Sequence, residues 1–164
     1  MFSKLLSNLL KVRKTTLDKM PLHIQSIKVS YCVPYSLAGV AQYFGLNISK
    51  EDVIELCNTH KTQGTSLDNC SKAVKKIGLR FRRIKFTPKN VFDSLSKGNP
   101  VVICYATSDK ESHFSTIIKV KADNGNQIFY TLNDTLYGRY DIPEELLKYL
   151  IKRDGSWTRI VEKI

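Results

Sequence analysis

The sequence predicts an α+β domain with a short N-terminal appendage, in which helices come first and an antiparallel sheet follows. Three observations carry this reading. Between Cys32 and Leu95, apolar residues recur at helical spacing behind residues that cap helices. From Val101 onward the pattern changes to runs rich in β-branched and aromatic residues. Asp123-Asn124-Gly125-Asn126 stands between two of those runs as a hairpin turn. Helices and strands segregated in this way favour an α+β fold over alternating βαβ units.

Taken in order, residues 1–20 read as a separate basic amphipathic helix, and residues 21–164 as the main domain. Phe2, Leu5, Leu6, Leu9 and Leu10 fall on one side of that helix, Lys4, Ser7, Asn8, Lys11 and Lys14 on the other. A second helix begins near Cys32-Val33-Pro34, where proline suits the first turn because its missing N–H would be unpaired there. Its apolar stripe is Tyr35, Leu37, Ala38, Ala41 and Phe44, and Gly45 ends it. Ser49 with Asp52, and Thr65 with Asp68, look like capping boxes for two more helices, the latter stopped by Gly78. Arg80 to Phe86 fits a strand. Thr87-Pro88 opens a short helix through Leu95 that Gly98-Asn99-Pro100 terminates. Strands are expected over 101–105, 114–121 and 127–132. A last helix runs from Pro143 to Lys152, and 156–161 forms a closing strand.

With 164 residues and 42% apolar content, the chain can bury a real core. No apolar run reaches the length of a membrane-spanning helix. Lys4, Ser7, Asn8 and Lys11 break the N-terminal leucines, so a secretory signal is not expected. Four cysteines spread along the chain do not resemble a disulfide scaffold, which predicts reduced thiols and a cytoplasmic setting. Cys57-x-x-His60 with Cys70 is better read as buried structural cysteine than as a zinc site, and no metal or cofactor is expected.

The net charge of +11 favours acidic partners. Cations concentrate in Met1–Tyr31 and in Lys72–Lys89, which holds no acid. Two surfaces follow: nucleic acid or an acidic protein at Lys72–Lys89, and a membrane surface at residues 1–14. Arg80-Phe81-Arg82-Arg83-Ile84-Lys85-Phe86 mixes cations with aromatics as nucleic-acid contacts do. The competing reading puts those aromatics in the core and the cations on a solvated face.

Cys32 stands where a helix begins, and free N–H groups with the helix dipole favour a thiolate there. A thiol nucleophile needs a base, and the chain has three histidines: His23, His60 and His113. His113 starts a strand beside a loop, from which its ring can reach a helix N-terminus. A third group must orient the base. Asn133 and Asp134 end the strand that follows the hairpin. In an antiparallel pair the start of one strand lies beside the end of the other, so His113 should neighbour Asn133 or Asp134.

The segment Cys32-Val33-Pro34-Tyr35-Ser36-Leu37-Ala38-Gly39-Val40-Ala41-Gln42-Tyr43-Phe44-Gly45 resembles the nucleophile helix of the bacteriocin-processing (double-glycine) cysteine peptidases, a papain-like family. The resemblance continues through Gly64-Thr65-Ser66-Leu67, Gly78-Leu79, Pro100-Val101-Val102-Ile103, His113-Phe114 and Asp134, covering about Gln25 to Tyr140. It implies the papain-like fold, N-terminal helices packed on a C-terminal antiparallel sheet. It also implies a hydrolase acting on a peptide or protein substrate, cutting after a small residue such as glycine through a thioester acyl-enzyme. By the same resemblance Cys32 is the nucleophile, His113 the base, Asp134 the orienting acid with Asn133 as the alternative, and Gln25 the side-chain donor of the oxyanion hole. The chain departs from the family pattern at Tyr31, Val33 and Thr135, and Gln25 lies seven positions before Cys32. The alternative is an inactive papain-like module that binds nucleic acid or an acidic protein through its basic surface.

Overall fold

Local sequence signals set the elements in a computed structural model that describes residues 17–107 and 111–164. The helices are α1 (Cys32–Tyr43), α2 (Lys50–Leu56), α3 (Leu67–Lys76), α4 (Pro88–Ser96) and α5 (Glu144–Ile151). The strands are β1 (Leu79–Arg83), β2 (Val101–Ala106), β3 (Ser112–Ala122), β4 (Ile128–Asp134), β5 (Gly138–Pro143) and β6 (Trp157–Lys163). Ser49 caps α2 in a complete capping box with Asp52. Thr87 caps α4 with Pro88 in the first turn. The cap of α3 is Ser66, which accepts from Asn69 N, and not Thr65 as the sequence suggested. Thr65 Oγ1 is engaged elsewhere, 2.7 Å from Thr59 Oγ1. The expected helix over residues 1–20 lies outside the described residues except for its last four, which form a turn closed by Met20 N donating to Leu17 O.

All pairings in the six-stranded sheet are antiparallel, in the order β1-β6-β2-β3-β4-β5. The closing strand β6 therefore sits inside the sheet, between β1 and β2. Strand β5 had no counterpart in the sequence reading. Tyr140 and Ile142 do alternate inward, but glycine and proline at its ends hide so short a strand. The 123–126 turn joins β3 to β4 as expected, with Asn126 taking the left-handed conformation. A bulge between Ile117 and Lys119 leaves Ile118 outside the ladder. Its carbonyl accepts from Leu17 N at 2.9 Å, tying the start of the described chain to the sheet.

One core joins helices to sheet, with Leu37, Val40 and Ala41 of α1, Ala73 and Val74 of α3, and Ile103, Ile117, Tyr130 and Leu132 of the sheet all buried. Residues 17–25 form a strap that crosses α1 at Gly39. A Cβ on Gly39 would lie 2.5 Å from the Pro21 carbonyl oxygen, so only glycine admits this crossing. No helix of the described residues is long and apolar enough to cross a membrane.

Candidate active site

Cys32 is the first residue of α1, and α1 starts without a side-chain cap. Its half-buried sulfur lies in a cleft of about 970 Å³ that also takes in Gln25, His113 and Trp157. The floor of the cleft follows from strand register. Cys104 of β2 pairs with Phe114 of β3 on one side and Trp157 of β6 on the other, so the three share one face. The Phe114 and Trp157 rings meet edge to face, 5.6 Å apart.

His113 is buried at the start of β3. Its Nε2 is 2.7 Å from Asp134 Oδ2, and its ring also hydrogen-bonds Cys32. With Nε2 committed to the carboxylate, Nδ1 is the nitrogen left for the sulfur. Thiol, imidazole and carboxylate thus stand in a row. Burial opposes a charge on His113, yet the hydrogen bonds to Asp134 and Cys32, and the charges they carry, lift its pKa to about 9. Asp134 is fully buried, and burial opposes its ionisation. The His113 hydrogen bond and charge, with backbone N–H groups of Leu136 and Tyr137 at 2.8 and 3.0 Å from Oδ1, hold it below the usual carboxylate range. Tyr105 and Tyr137 set their rings edge-on to the imidazole at 5.8 and 6.3 Å. Neither was singled out from the sequence. Tyr105 was legible only as the last residue of a strand, and Tyr137 as a loop residue.

Asn133 is not brought to His113. The last register pair between these strands is Thr116 with Asn133, and Asp134 lies one step beyond, toward His113. Successive strand residues face opposite ways. Asn133 therefore turns away, with Nδ2 donating to Pro21 O at 3.1 Å and Oδ1 accepting from Arg139 Nε at 2.9 Å. Gln25 is brought to the cleft. Its backbone N donates to Thr135 O at 2.8 Å, and its side-chain Oε1 is buried with no partner among the described residues.

The other two histidines serve the fold. His23 Nε2 is 2.9 Å from Gln42 Oε1, and His60 Nδ1 accepts from the turn N–H groups of Thr62 and Gln63. All four cysteines are free. Burial pushes Cys57 up to about 12 and Cys104 to about 11, and Cys70 higher still, which keeps these thiols protonated. Among the described residues no cluster of His, Cys, Asp and Glu is arranged to hold a metal ion.

The basic run at Lys72–Lys89 is less free than its composition implies. Arg80 and Arg82 both reach Glu162, Lys72 pairs with Asp68, and Lys89 with Asp93. Phe81 packs on Trp157 and Phe86 on Tyr130, against the core. These aromatics are partly buried against the core, as the core reading of this stretch expects.

Helices laid against an antiparallel sheet, with a cysteine and a histidine meeting in the cleft, define a papain-like cysteine peptidase. The family model described as "Peptidase C39 family" matches residues 22–148, and the chain belongs to that family. Solved structures agree in fold. A double-glycine-motif protease from an AMS/PCAT transporter, in complex with its leader peptide, is 21% identical with a TM-score of 0.64, over 87% of this chain and 91% of that one. The peptidase domain of Streptococcus ComA, a bifunctional ABC transporter, is 24% identical with a TM-score of 0.63, over 88% and 99%. A C39-like peptidase from Bacillus anthracis is 16% identical with a TM-score of 0.70, over 92% and 98%. No curated protein matches the chain.

Proposed function

We propose that the protein cuts a peptide bond after a small residue such as glycine, through a thioester formed on Cys32. The row Cys32–His113–Asp134 carries this reading. Cys32 attacks the carbonyl carbon as the thiolate, while His113 holds the proton as imidazolium against Asp134. The oxyanion receives the Cys32 backbone N–H and the Gln25 side-chain amide. The tetrahedral intermediate expels the amine, which takes its proton from His113. Neutral His113 then removes a proton from water, the hydroxide oxygen bonds the acyl carbon, and the Cys32 sulfur leaves. Val33, next to the nucleophile, lines the cleft and narrows the approach, which suits a small residue at the scissile carbonyl. Ile27, Leu67 and Tyr137 line the cleft while 84%, 45% and 73% exposed, which offers apolar contacts to an extended or helical peptide. The double-glycine-motif protease from an AMS/PCAT transporter is in complex with the leader peptide, which supports a leader peptide as the substrate class here.

The test is cleavage of a synthetic peptide carrying an apolar leader and a Gly-Gly pair, with products identified by mass. A cut after the second glycine is expected. The His113 shift fixes the pH dependence. Its folded pKa of about 9 lies above the ordinary 6.5, so the imidazolium contributes stability fully below 6.5 and loses it as pH rises through 9. The catalytic rate has an alkaline limb at the same place, because above it the leaving amine finds no proton. A rate still flat at pH 10 sinks the assignment of His113. Absence of cleavage, with no preferential iodoacetamide labelling of Cys32 at pH 6, leaves a binding module instead.

A further inference from the structure

The strap of residues 17–25 carries Gln25 into the cleft, and one side chain outside the cleft grips it at two of its carbonyls. Arg139, on the edge strand β5, spends each guanidinium nitrogen on this task. Its Nη1 donates to Asp18 O at 2.9 Å, Nη2 to Met20 O at 2.5 Å, and Nε to Asn133 Oδ1 at 2.9 Å. Asn133 extends the grip by donating from Nδ2 to Pro21 O at 3.1 Å. Three successive anchor points, at residues 18, 20 and 21, are thereby fixed to the β4–β5 pair. The strand β4 that carries Asn133 also ends in Asp134, and Thr135 just beyond it accepts from Gln25 N at 2.8 Å. Strap and base-orienting acid are therefore referenced to the same piece of backbone. Arg139 itself does not line the cleft.

We propose that Arg139, with Asn133, is a positioning residue that sets the Gln25 amide relative to the Cys32 sulfur. The proposal rests on the reading of Gln25 as an oxyanion donor. A donor misplaced by a fraction of an ångström loses transition-state contact without losing substrate contact. The planar fork matters, because the three donors of a lysine radiate from one nitrogen and cannot span acceptors that Arg139 meets with three separate nitrogens. Arg139 meets neither His113 nor Asp134 among its hydrogen bonds, so the protonation of the base is independent of it.

The test is a double-mutant cycle on the full chain, with a Gly-Gly peptide as substrate and rates normalised to titratable Cys32. Arg139→Gln is expected to lower kcat about tenfold, to leave KM within about twofold, and to leave the alkaline limb in place. Arg139→Lys is expected to restore less than half of that loss. Gln25→Ala lowers kcat by about 100-fold. On that background Arg139→Gln should cost no more than a further twofold. Should the two losses multiply, Arg139 acts through general stability and the proposal falls while the Gln25 reading stands. A Gln25→Ala enzyme with unchanged kcat overturns both. An Arg139→Gln enzyme with wild-type kcat overturns the positioning role alone.

Discussion

Cys32→Ala abolishes peptide turnover and leaves the fold in place. The expected loss in kcat is about a millionfold, the size seen when a covalent nucleophile is deleted and its partners are left behind. Under the proposed function, any residual rate would come from water attacking a carbonyl that the oxyanion site still polarises. The fold survives because the thiol is small, half-buried and at a helix terminus, outside the fully buried core. Removing it also takes away one of the two hydrogen bonds that hold His113 charged. Peptide cleavage followed by mass spectrometry, beside a thermal melt, reads both quantities. A variant that keeps even one per cent of wild-type turnover, with intact thermal stability, would move the nucleophile elsewhere. The remaining thiols offer no substitute, since Cys57, Cys70 and Cys104 are held in their neutral forms by burial.

Much of this site could be read before any coordinates. Cys32 announced itself through helix-start chemistry, and His113 with Asp134 through the arithmetic of a hairpin. The choice between Asn133 and Asp134 could not be made that way. It turns on which of two adjacent side chains faces the imidazole, and the bulge at Ile118 shifts the count along β3. Arg139 was invisible for a different reason. Two of its three partners are backbone carbonyls of a distant segment, which carry no sequence signature. The helices were legible because their caps are local, and even there Thr65 lost its place to Ser66 through a contact with Thr59 across a loop. The position of β6 between β1 and β2 depends on pairing across most of the chain, which local pattern does not encode.

Gly39→Ala is the second large effect, and it falls on stability. Alanine in the middle of α1 gains about 1 kcal/mol in helix propensity over glycine. Against that gain, the new methyl meets the Pro21 carbonyl oxygen at 2.5 Å, a distance that real contacts do not reach. The obstacle is backbone, and it is pinned by the Asn133 amide, so relief requires the strap to lift. Overpacking against a fixed surface costs about 1–3 kcal/mol. Breaking the Asn133 and Arg139 hydrogen bonds adds about 1 kcal/mol each. The net is a loss of about 2–4 kcal/mol, which lowers the melting midpoint by about 4–16 °C in a chain of this size. A midpoint equal to wild type or higher would mean that the strap accommodates the methyl without strain. Turnover should fall further than the melt alone explains, because lifting the strap also carries Gln25 away.

The imidazole and its carboxylate belong to one hairpin, 21 residues apart along the chain, whereas the sulfur arrives from the helical half. The imidazole–carboxylate contact is thus made within the sheet, between two strands paired by a short hairpin. Under the proposed function the helical half adds the nucleophile, so the chemistry would depend on the joint between helices and sheet more than on the integrity of either.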